Sequence, residues 1–386
     1  MISKKKIFFL SGKKGGFDAM LPLLKLIKKK RDFDLKVILT DQHLDKKFGE
    51  TYKTCVNELG KKQIKKIKTY QKNDSAISRN IGMSILLKNL SKYFERSKPD
   101  LFIIYGDRME SLIGSIVALN FEIPICHFQG GDLSGNIDEK IRHSITKLSD
   151  LHLTSNSKSL SRIIKMGENK SCSFSIGDSH VDSILKIKKE KEKFSLNRIK
   201  KKYNLEEKYA VFLMHPDGFS KEKNKKFCNN VLSALKDLNL QIICIYPCTD
   251  IGYEGIISEL KKFNKKYKRF KLYKTIEHLD FIFLLKNCNF FIGNSSSGII
   301  ESPYLKIPFI NLGNRQKGRL FSSNVIHTKF DKNFIFKAIK KTQNKNFKNK
   351  LKKTKFLYGN GKSYLQAYNI IKKKIGKLSS FKTFYE

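Results

Sequence analysis

Residues 100–148 read DLFIIYGDRMESLIGSIVALNFEIPICHFQGGDLSGNIDEKIRHSITKL, and this stretch sets the fold class. An apolar run, Leu101–Tyr105, ends in Gly106-Asp107-Arg108. A segment of helical length follows, then a second apolar run, Ile123–Phe128, that ends in Gln129-Gly130-Gly131-Asp132. After a short polar loop, Asp138-Glu139 open a helical segment carrying Arg142 and His143. Two strand ends thus deliver Asp107, Arg108, His127, Gln129 and Asp132 toward one edge of a sheet. In open α/β sheets ligands bind outside the carboxyl ends of the strands. So many acids, bases and glycines at such ends mark a candidate active site.

Working outward, the same alternation recurs. Lys6–Leu10 is a short apolar strand followed by Ser11-Gly12-Lys13-Lys14-Gly15-Gly16. Phe17–Lys29 then has apolar residues at helical spacing (Phe17, Met20, Leu21, Leu24, Ile27). A strand, a glycine turn and a helix start can hold an anion, although such a turn serves equally as a tight structural corner. Leu35–Thr40 is a further strand, and lysine-rich helical stretches are expected to fill 45–98. Leu151–Ser155 and Cys172–Ile176 add two strands around a helix at Ser157–Met166. Repeated strand–helix alternation implies a parallel, doubly wound sheet.

The region 186–208 has few aromatics and many lysines, and reads as a connector with a surface helix. Beyond it the alternation restarts. Ala210–Met214 runs into His215-Pro216, and Leu240–Tyr246 into Pro247-Cys248. Phe270–Lys274, Asn289–Ile292 and Ile307–Leu312 follow, and a sheet of about six strands is expected by analogy with the first. The chain after Asp331 is helical and lysine-rich, with a last helix at Ser363–Ile375. The expected organisation is an N-terminal Rossmann-like domain over 1–185 and a second over 186–360. A C-terminal helix, 361–386, would pack back on the first domain. Two Rossmann-like doubly wound parallel-sheet domains with an interdomain cleft form the GT-B architecture, an α/β class that hosts nucleotide-sugar enzymes. Fold alone does not fix chemistry.

The 386 residues suffice for two such domains, and 40% hydrophobic with 11% aromatic residues suits packed cores rather than disorder. No apolar run reaches the roughly 18–20 residues needed to span a bilayer, and Ile7–Leu10 is too short for a signal-peptide core. A cytoplasmic location is expected. The seven cysteines are odd in number and scattered, which argues against a disulfide framework. The formal net charge of +43 could attract nucleic acid or anionic lipid. The lysines are spread along the whole chain, however, and no nucleic-acid module signature appears. Lysine-rich solvated helix faces explain the charge better, and the field would help draw in an anionic substrate. The partner expected is a small molecule, with neither nucleic acid nor membrane.

Among candidate residues, Gly293-Asn294-Ser295-Ser296-Ser297-Gly298 leads from a strand into an expected helix at Ile299–Leu305. Hydroxyls and backbone N–H groups there suit a pyrophosphate, although serine and asparagine also cap and turn helices. Glu301 could accept from ribose hydroxyls, and Arg315 could pair with phosphate. His215 ends a strand at the expected cleft. Asp107, Asp132, Asp138 and Glu139 offer carboxylates for acid–base work, while the last two would also favour a helix start through its dipole. Arg142 and His143 serve equally well as packing or salt-bridge residues.

GDRMESL (106–112), HFQGGDLSGNIDEKIRHSITKLSDLH (127–152) and GNSSSGIIESPYLKIPFINLGNRQKGR (293–319) resemble the UDP-N-acetylglucosamine 2-epimerases, in particular the hydrolysing type that feeds sialic-acid and related nonulosonate synthesis. The resemblance spans Ile7 to about Phe330. It implies elimination of the nucleoside diphosphate across C1–C2, a glycal-type intermediate, hydration with inversion at C2, and no metal or redox cofactor. A homo-oligomer, dimer or tetramer, is expected. Asp107 matches a catalytic carboxylate, with Arg108 beside it. Asp132, Asp138 and Glu139 match acidic positions around the sugar, followed by Arg142 and His143. His215 matches a histidine near the diphosphate. Ser295 and Ser296 match diphosphate-binding serines, Glu301 a ribose-binding glutamate and Arg315 a nucleotide-contacting arginine.

Three departures bear on the substrate. Lys14 stands where an arginine is usual, which keeps the charge but loses the bidentate fork. Gln129 stands where many relatives have Glu, so a proton-transfer role there is lost or moves to a neighbour such as Asp132. Exchange of Gln129 for Glu is therefore expected to be tolerated or to raise activity. Cys248 stands where Asn is frequent. The alternatives are the same chemistry on a UDP- or GDP-linked 2,4-diacetamido sugar of the legionaminic-acid route, or a GT-B glycosyltransferase. A non-catalytic basic binding protein is a weaker third.

Overall fold

The computed structural model describes residues 4–69, 71–186, 197–379 and 381–385. The chain divides into two compact units. One comprises Met1–Leu133, Ile137–Ser183 and Tyr358–Glu386, and the other Ser134–Asn136 and Ile184–Leu357. Most of the lysine-rich connector, 187–196, lies outside the described residues. Residues 197–203, just beyond it, are helical.

The N-terminal unit is built on seven strands: β1 (Lys5–Ser11), β2 (Phe33–Leu39), β3 (Ile64–Lys66), β4 (Leu101–Tyr105), β5 (Ile125–Phe128), β6 (Leu151–Thr154) and β7 (Ser173–Ser175). They lie side by side in the order β3-β2-β1-β4-β5-β6-β7, every pairing parallel. Successive side chains of a strand point to opposite faces, and β1 shows the consequence. Ile7 and Phe9 join the core that receives the helices Lys14–Lys30 and Ser363–Lys374. Phe8 and Leu10 join the core on the other face, with Leu86 and Leu90 of the helix Ala76–Arg96 and Val117 of the helix Met109–Asn120. Both faces are covered, so the strands read as unbroken apolar runs.

The C-terminal helix is part of this unit. Ala367, Tyr368 and Ile371 are buried in the first core, and Asp182 holds the helix start by accepting from Ser363 N–H (3.0 Å), Ser363 Oγ (2.6 Å) and Tyr364 N–H (2.9 Å). A carboxylate over orphan helical N–H groups is the usual remedy for a helix N-terminus.

The second unit carries β8 (Tyr209–Leu213), β9 (Gln241–Ile245), β10 (Phe270–Tyr273), β11 (Phe291–Gly293), β12 (Phe309–Leu312) and β13 (Val325–Thr328), in the order β10-β9-β8-β11-β12-β13. Two parallel doubly wound sheets on one chain place the protein in the GT-B class. Its core gathers Phe212, Cys244, Ile292 and Ile310 from the strands, with Val231, Ile256 and Ile335 from the helices Lys221–Leu235, Tyr253–Lys266 and Lys332–Gln343. All seven cysteines are free. No described helix is long and apolar enough to cross a membrane.

Three elements differ from the sequence reading. The segment expected to be helical throughout 45–98 contains β3, a three-residue edge strand with the sequence IKK. Its lysines blunt a sheet edge and hide it from any apolar pattern. The sixth strand of the second sheet is β13, half exposed and equally faint. The helix expected at Ile299–Leu305 is two four-residue turns, Ser297–Ile300 and Ser302–Leu305, broken at Glu301 just before Pro303.

Candidate active site

Each sheet reverses its strand order once, between β1 and β4 in the N-terminal unit and between β8 and β11 in the second. Ligands of open α/β sheets bind at the carboxyl side of such switch points. The candidate residues fall at these two edges.

In the N-terminal unit Asp107 follows β4, its side chain 19% exposed. Arg142, from the helix Asp138–Leu148, is 1% exposed and is spent on two partners. Nη1 donates to the Asp132 carbonyl at 2.7 Å, and Nη2 donates to Asp107 Oδ2. A guanidinium fork serves two acceptors in fixed directions, so Asp107 is locked to the loop after β5. Asp138 and Glu139 stand in the first turn of this helix, partly exposed. Glu139 Oε1 lies 3.9 Å from His143 Nε2. Burial and the adjacent Arg142 charge press His143 below its ordinary pKa.

Asp132 is 2% exposed. Its Oδ1 accepts from Ser155 Oγ (2.7 Å), Ser159 Oγ (2.5 Å) and Asn156 Nδ2 (3.5 Å), at the start of the helix Ser157–Lys165. Through that oxygen Asp132 holds the helix start. The carboxylate in contact with Gln129 is Asp178, whose Oδ2 accepts from Gln129 Nε2. A glutamate at 129 would meet that carboxylate directly, and two such groups in contact cannot both ionise cheaply. This contact weighs against the expected tolerance of Gln129→Glu.

Arg108 is 8% exposed and pairs inward, Nη2 with Asp41 Oδ2 at 3.2 Å and Nε with Glu110 Oε2 at 3.1 Å. Arg79 joins the cluster through Glu110 Oε1 at 2.6 Å. Burial and the Glu110 charge push Asp41 up to about 7, and the two arginines hold Glu110 low despite its burial. His127 is fully buried, with Nε2 2.8 Å from the Gly106 carbonyl and Nδ1 3.3 Å from Thr146 Oγ1. It ties the β4 end to the Arg142 helix rather than reaching the sheet edge. Lys14 Nζ lies 2.8 Å from Asp18 Oδ2, its side chain 13% exposed.

In the second unit Gly293 ends β11 with φ 151°, and a Cβ there would lie 1.8 Å from the Leu213 carbonyl oxygen. Only glycine fits. The loop then turns through Asn294, Ser295 (4% exposed) and Ser296. Asn294 is fully buried and clamps the β8 end: Oδ1 accepts from His215 N–H (2.7 Å) and Nδ2 donates to the His215 carbonyl (2.9 Å). The His215 ring accepts at Nδ1 from Cys248 N–H at 3.1 Å. In a neutral ring the proton then sits on Nε2, which becomes a donor. The Asn294 carbonyl accepts from Arg315 Nη1 (3.4 Å) and Gln316 Nε2 (2.9 Å), and Arg315 Nη2 lies 3.6 Å from Asp250 Oδ2. Glu301 is 1% exposed, and its Oε2 makes no hydrogen bond among the described residues.

A family model for UDP-N-acetylglucosamine 2-epimerase matches residues 25–372. The chain belongs to the UDP-N-acetylglucosamine 2-epimerase family. Among its relatives is the GDP/UDP-N,N'-diacetylbacillosamine 2-epimerase (hydrolyzing) of Campylobacter jejuni. It is 35% identical over 350 residues, covering 90% of each chain. A UDP-N-acetylglucosamine 2-epimerase of Neisseria meningitidis serogroup B is 33% identical over 336 residues, 87% of this chain and 86% of that one. A crystal structure of UDP-GlcNAc 2-epimerase from Neisseria meningitidis bound to UDP-GlcNAc superposes with a TM-score of 0.78 at 17% identity. It covers 95% of this chain and all of that one, and at such identity supports the fold alone.

Four residues of this family member escaped the sequence reading. Asn294 sat inside a quoted motif but was read as turn chemistry. Asp250, Asp178 and His180 follow their strands by a few residues, and their only signal is position beyond a strand end.

Proposed function

We propose that the protein is a hydrolysing nucleotide-sugar 2-epimerase that converts UDP-N-acetylglucosamine to N-acetylmannosamine and UDP. A base removes the C2 proton, the C1–oxygen bond breaks, and the diphosphate leaves with its electron pair, giving the C1=C2 glycal. Water then adds, its hydroxyl to C1 and a proton to the opposite face of C2, and the free sugar departs. The observation that carries this reading is the carboxylate of Asp107, held at the switch point by Arg142. General acid–base work needs a carboxylate fixed in this way.

In this reading Asp107, Asp138 and Glu139 share the proton transfers, and Gln129 and His143 contact the sugar. Arg142, Asp132 and Arg108 hold the geometry, and Lys14 supplies positive charge. In the second unit His215 Nε2–H and the hydroxyls of Ser295 and Ser296 suit phosphate oxygens. Arg315 adds positive charge beside them, and the unpartnered Glu301 Oε2 suits ribose hydroxyls. We place the protein in the cytoplasm as a homo-oligomer, with the nucleotide sugar as its partner.

A second reading, the same chemistry on a UDP- or GDP-linked 2,4-diacetamido sugar, is favoured by the similarity to the GDP/UDP-N,N'-diacetylbacillosamine 2-epimerase of Campylobacter jejuni. The test is incubation with UDP-N-acetylglucosamine alone, then with a panel of UDP- and GDP-linked acetamido sugars. Free UDP with free N-acetylmannosamine supports the proposal. A 2-epimer still joined to UDP points to the non-hydrolysing reaction, and turnover that requires an added acceptor to a glycosyltransferase.

A further inference from the structure

Gln129 carries two observations that the proposed reaction does not use. Its backbone is left-handed, with φ 62°, a conformation that residues other than glycine adopt only at a cost. Its side chain is also fully directed. Nε2 donates to Asp178 Oδ2, and a carboxylate accepts but does not donate, so the oxygen of the amide must face the other way. That oxygen lies 3.8 Å from where a Cβ on Gly106 would sit, one residue before Asp107.

Asp178 is 1% exposed. Its Oδ1 accepts from the His180 backbone N–H (2.9 Å) and lies 2.9 Å from His180 Nδ1. The Tyr105 hydroxyl, at the end of β4, is 2.9 Å from the same ring nitrogen. Burial raises the Asp178 carboxyl, but its bonds from His180 and Gln129 outweigh that and hold it below the usual carboxylate range. A buried anion thus touches a neutral amide at the carboxyl end of β5.

We propose that Asp178 is a positioning residue for the reaction: it orients Gln129 so that Oε1 is presented beside Asp107 as a neutral hydrogen-bond acceptor for a sugar hydroxyl or the added water. The Gln129–Asp178 pair carries together the single negative charge that one glutamate at 129 would carry alone. This inference rests on the nucleotide-sugar reading above. The pairing also sets which exchange should compensate in part. Gln129→Glu combined with Asp178→Asn keeps one carboxylate, one carboxamide and the hydrogen bond between them, and moves only the charge.

The experiment compares Asp178→Asn, Gln129→Glu and the double variant by steady-state release of nucleoside diphosphate and by thermal melting. The substrate is whichever nucleotide sugar of the panel the unaltered chain turns over. Asp178→Asn is expected to lower kcat about tenfold or more with KM within about threefold. Gln129→Glu is expected to lose a similar factor at neutral pH and to recover on acidification, as one of the two touching carboxyls takes a proton. The double variant is expected to exceed the weaker single variant by about fivefold or more, yet to stay below the unaltered chain because residue 129 then carries the charge. Asp178→Asn with unchanged kcat, or a double variant no more active than the weaker single, overturns the inference. If Asp178→Asn does not fold, the double variant decides alone: folded and active supports, unfolded overturns. If the unaltered chain turns over no nucleotide sugar, the functional reading fails separately. Melting then judges the pair, additive losses overturning the coupling and recovery in the double supporting it.

Discussion

Arg142 holds the Asp107 carboxylate with one arm of its guanidinium and the Asp132 carbonyl with the other. The catalytic candidate is therefore fixed by a buried group on a different element. Asp107→Asn keeps the shape and an oxygen for Arg142 but removes the charge. Turnover is expected to fall at least about 100-fold while the melting temperature stays within a few degrees. Near-normal release of UDP would remove Asp107 from the mechanism. Arg142→Lys loses the fork and is expected to reduce both activity and stability, the latter by about 1.5–3 kcal/mol in denaturant titration.

Glu301 Oε2 is buried without a hydrogen bond among the described residues, which suits a carboxylate whose donors come from a ligand. Glu301→Gln keeps the size and replaces one acceptor by a donor. Calorimetric affinity for UDP is expected to weaken about tenfold or more. An unchanged affinity would detach Glu301 from the ribose.

Gly293 has no room for a side chain, with the Leu213 carbonyl 1.8 Å from its would-be Cβ. Gly293→Ala must push β8 and β11 apart where His215 and Ser295 leave the sheet. The expected outcome is loss of UDP binding together with a lower melting temperature. A variant that binds UDP as before would show that this edge is not the nucleotide site.

Lys382, near the C-terminus, caps the helix that carries Arg142. Its Nζ donates to the carbonyls of Thr146 (3.1 Å), Lys147 (2.9 Å) and Ser149 (2.8 Å), and it pairs with Glu168. These carbonyls are the orphans of a helix end, where a cation is favourable. Lys382→Met is expected to cost about 1–2 kcal/mol in chemical denaturation. No change would mean that the tail is not docked in solution.

His43 and His127 are buried and neutral, and burial presses each of them down to about 3. The unfolded chain binds protons near 6.5, so below that pH it holds more protons than the folded chain. Stability is therefore full above about 6.5 and is lost as pH falls toward 3, by up to about 1.4 kcal/mol per pH unit for each ring. Asp41, pushed up to about 7, takes a proton in the folded chain over the same range and opposes this loss, so the readout is the difference between variants: His43→Gln is expected to lose less stability between pH 7 and 5 than the unaltered chain. Equal pH slopes in the two would contradict the buried neutral state of His43.

Much of this was legible in the chain. Apolar runs such as Leu101–Tyr105 announced the strands because a doubly wound sheet buries both faces of each one. The glycine and acid clusters at their ends announced the edges. The lysine-rich β3 and half-exposed β13 were not legible, because an edge strand needs no apolar pattern. The single helix expected after Gly298 was misread because the break at Glu301 depends on local packing as well as on Pro303.

The sequence by itself determined the alternating α/β order, the strand ends and the motif residues that stand on them, since these follow from local periodicity and from spacing along the chain. Only the tertiary structure decided what each side chain does there. Asp132 meets the start of the helix Ser157–Lys165, Arg108 pairs inward with Asp41 and Glu110, and Asp178 meets Gln129. Such roles depend on which groups meet across 49 residues of chain, as Gln129 and Asp178 do. Long-range contacts of this kind are set by how helices stack on a sheet, and no short stretch of sequence records them.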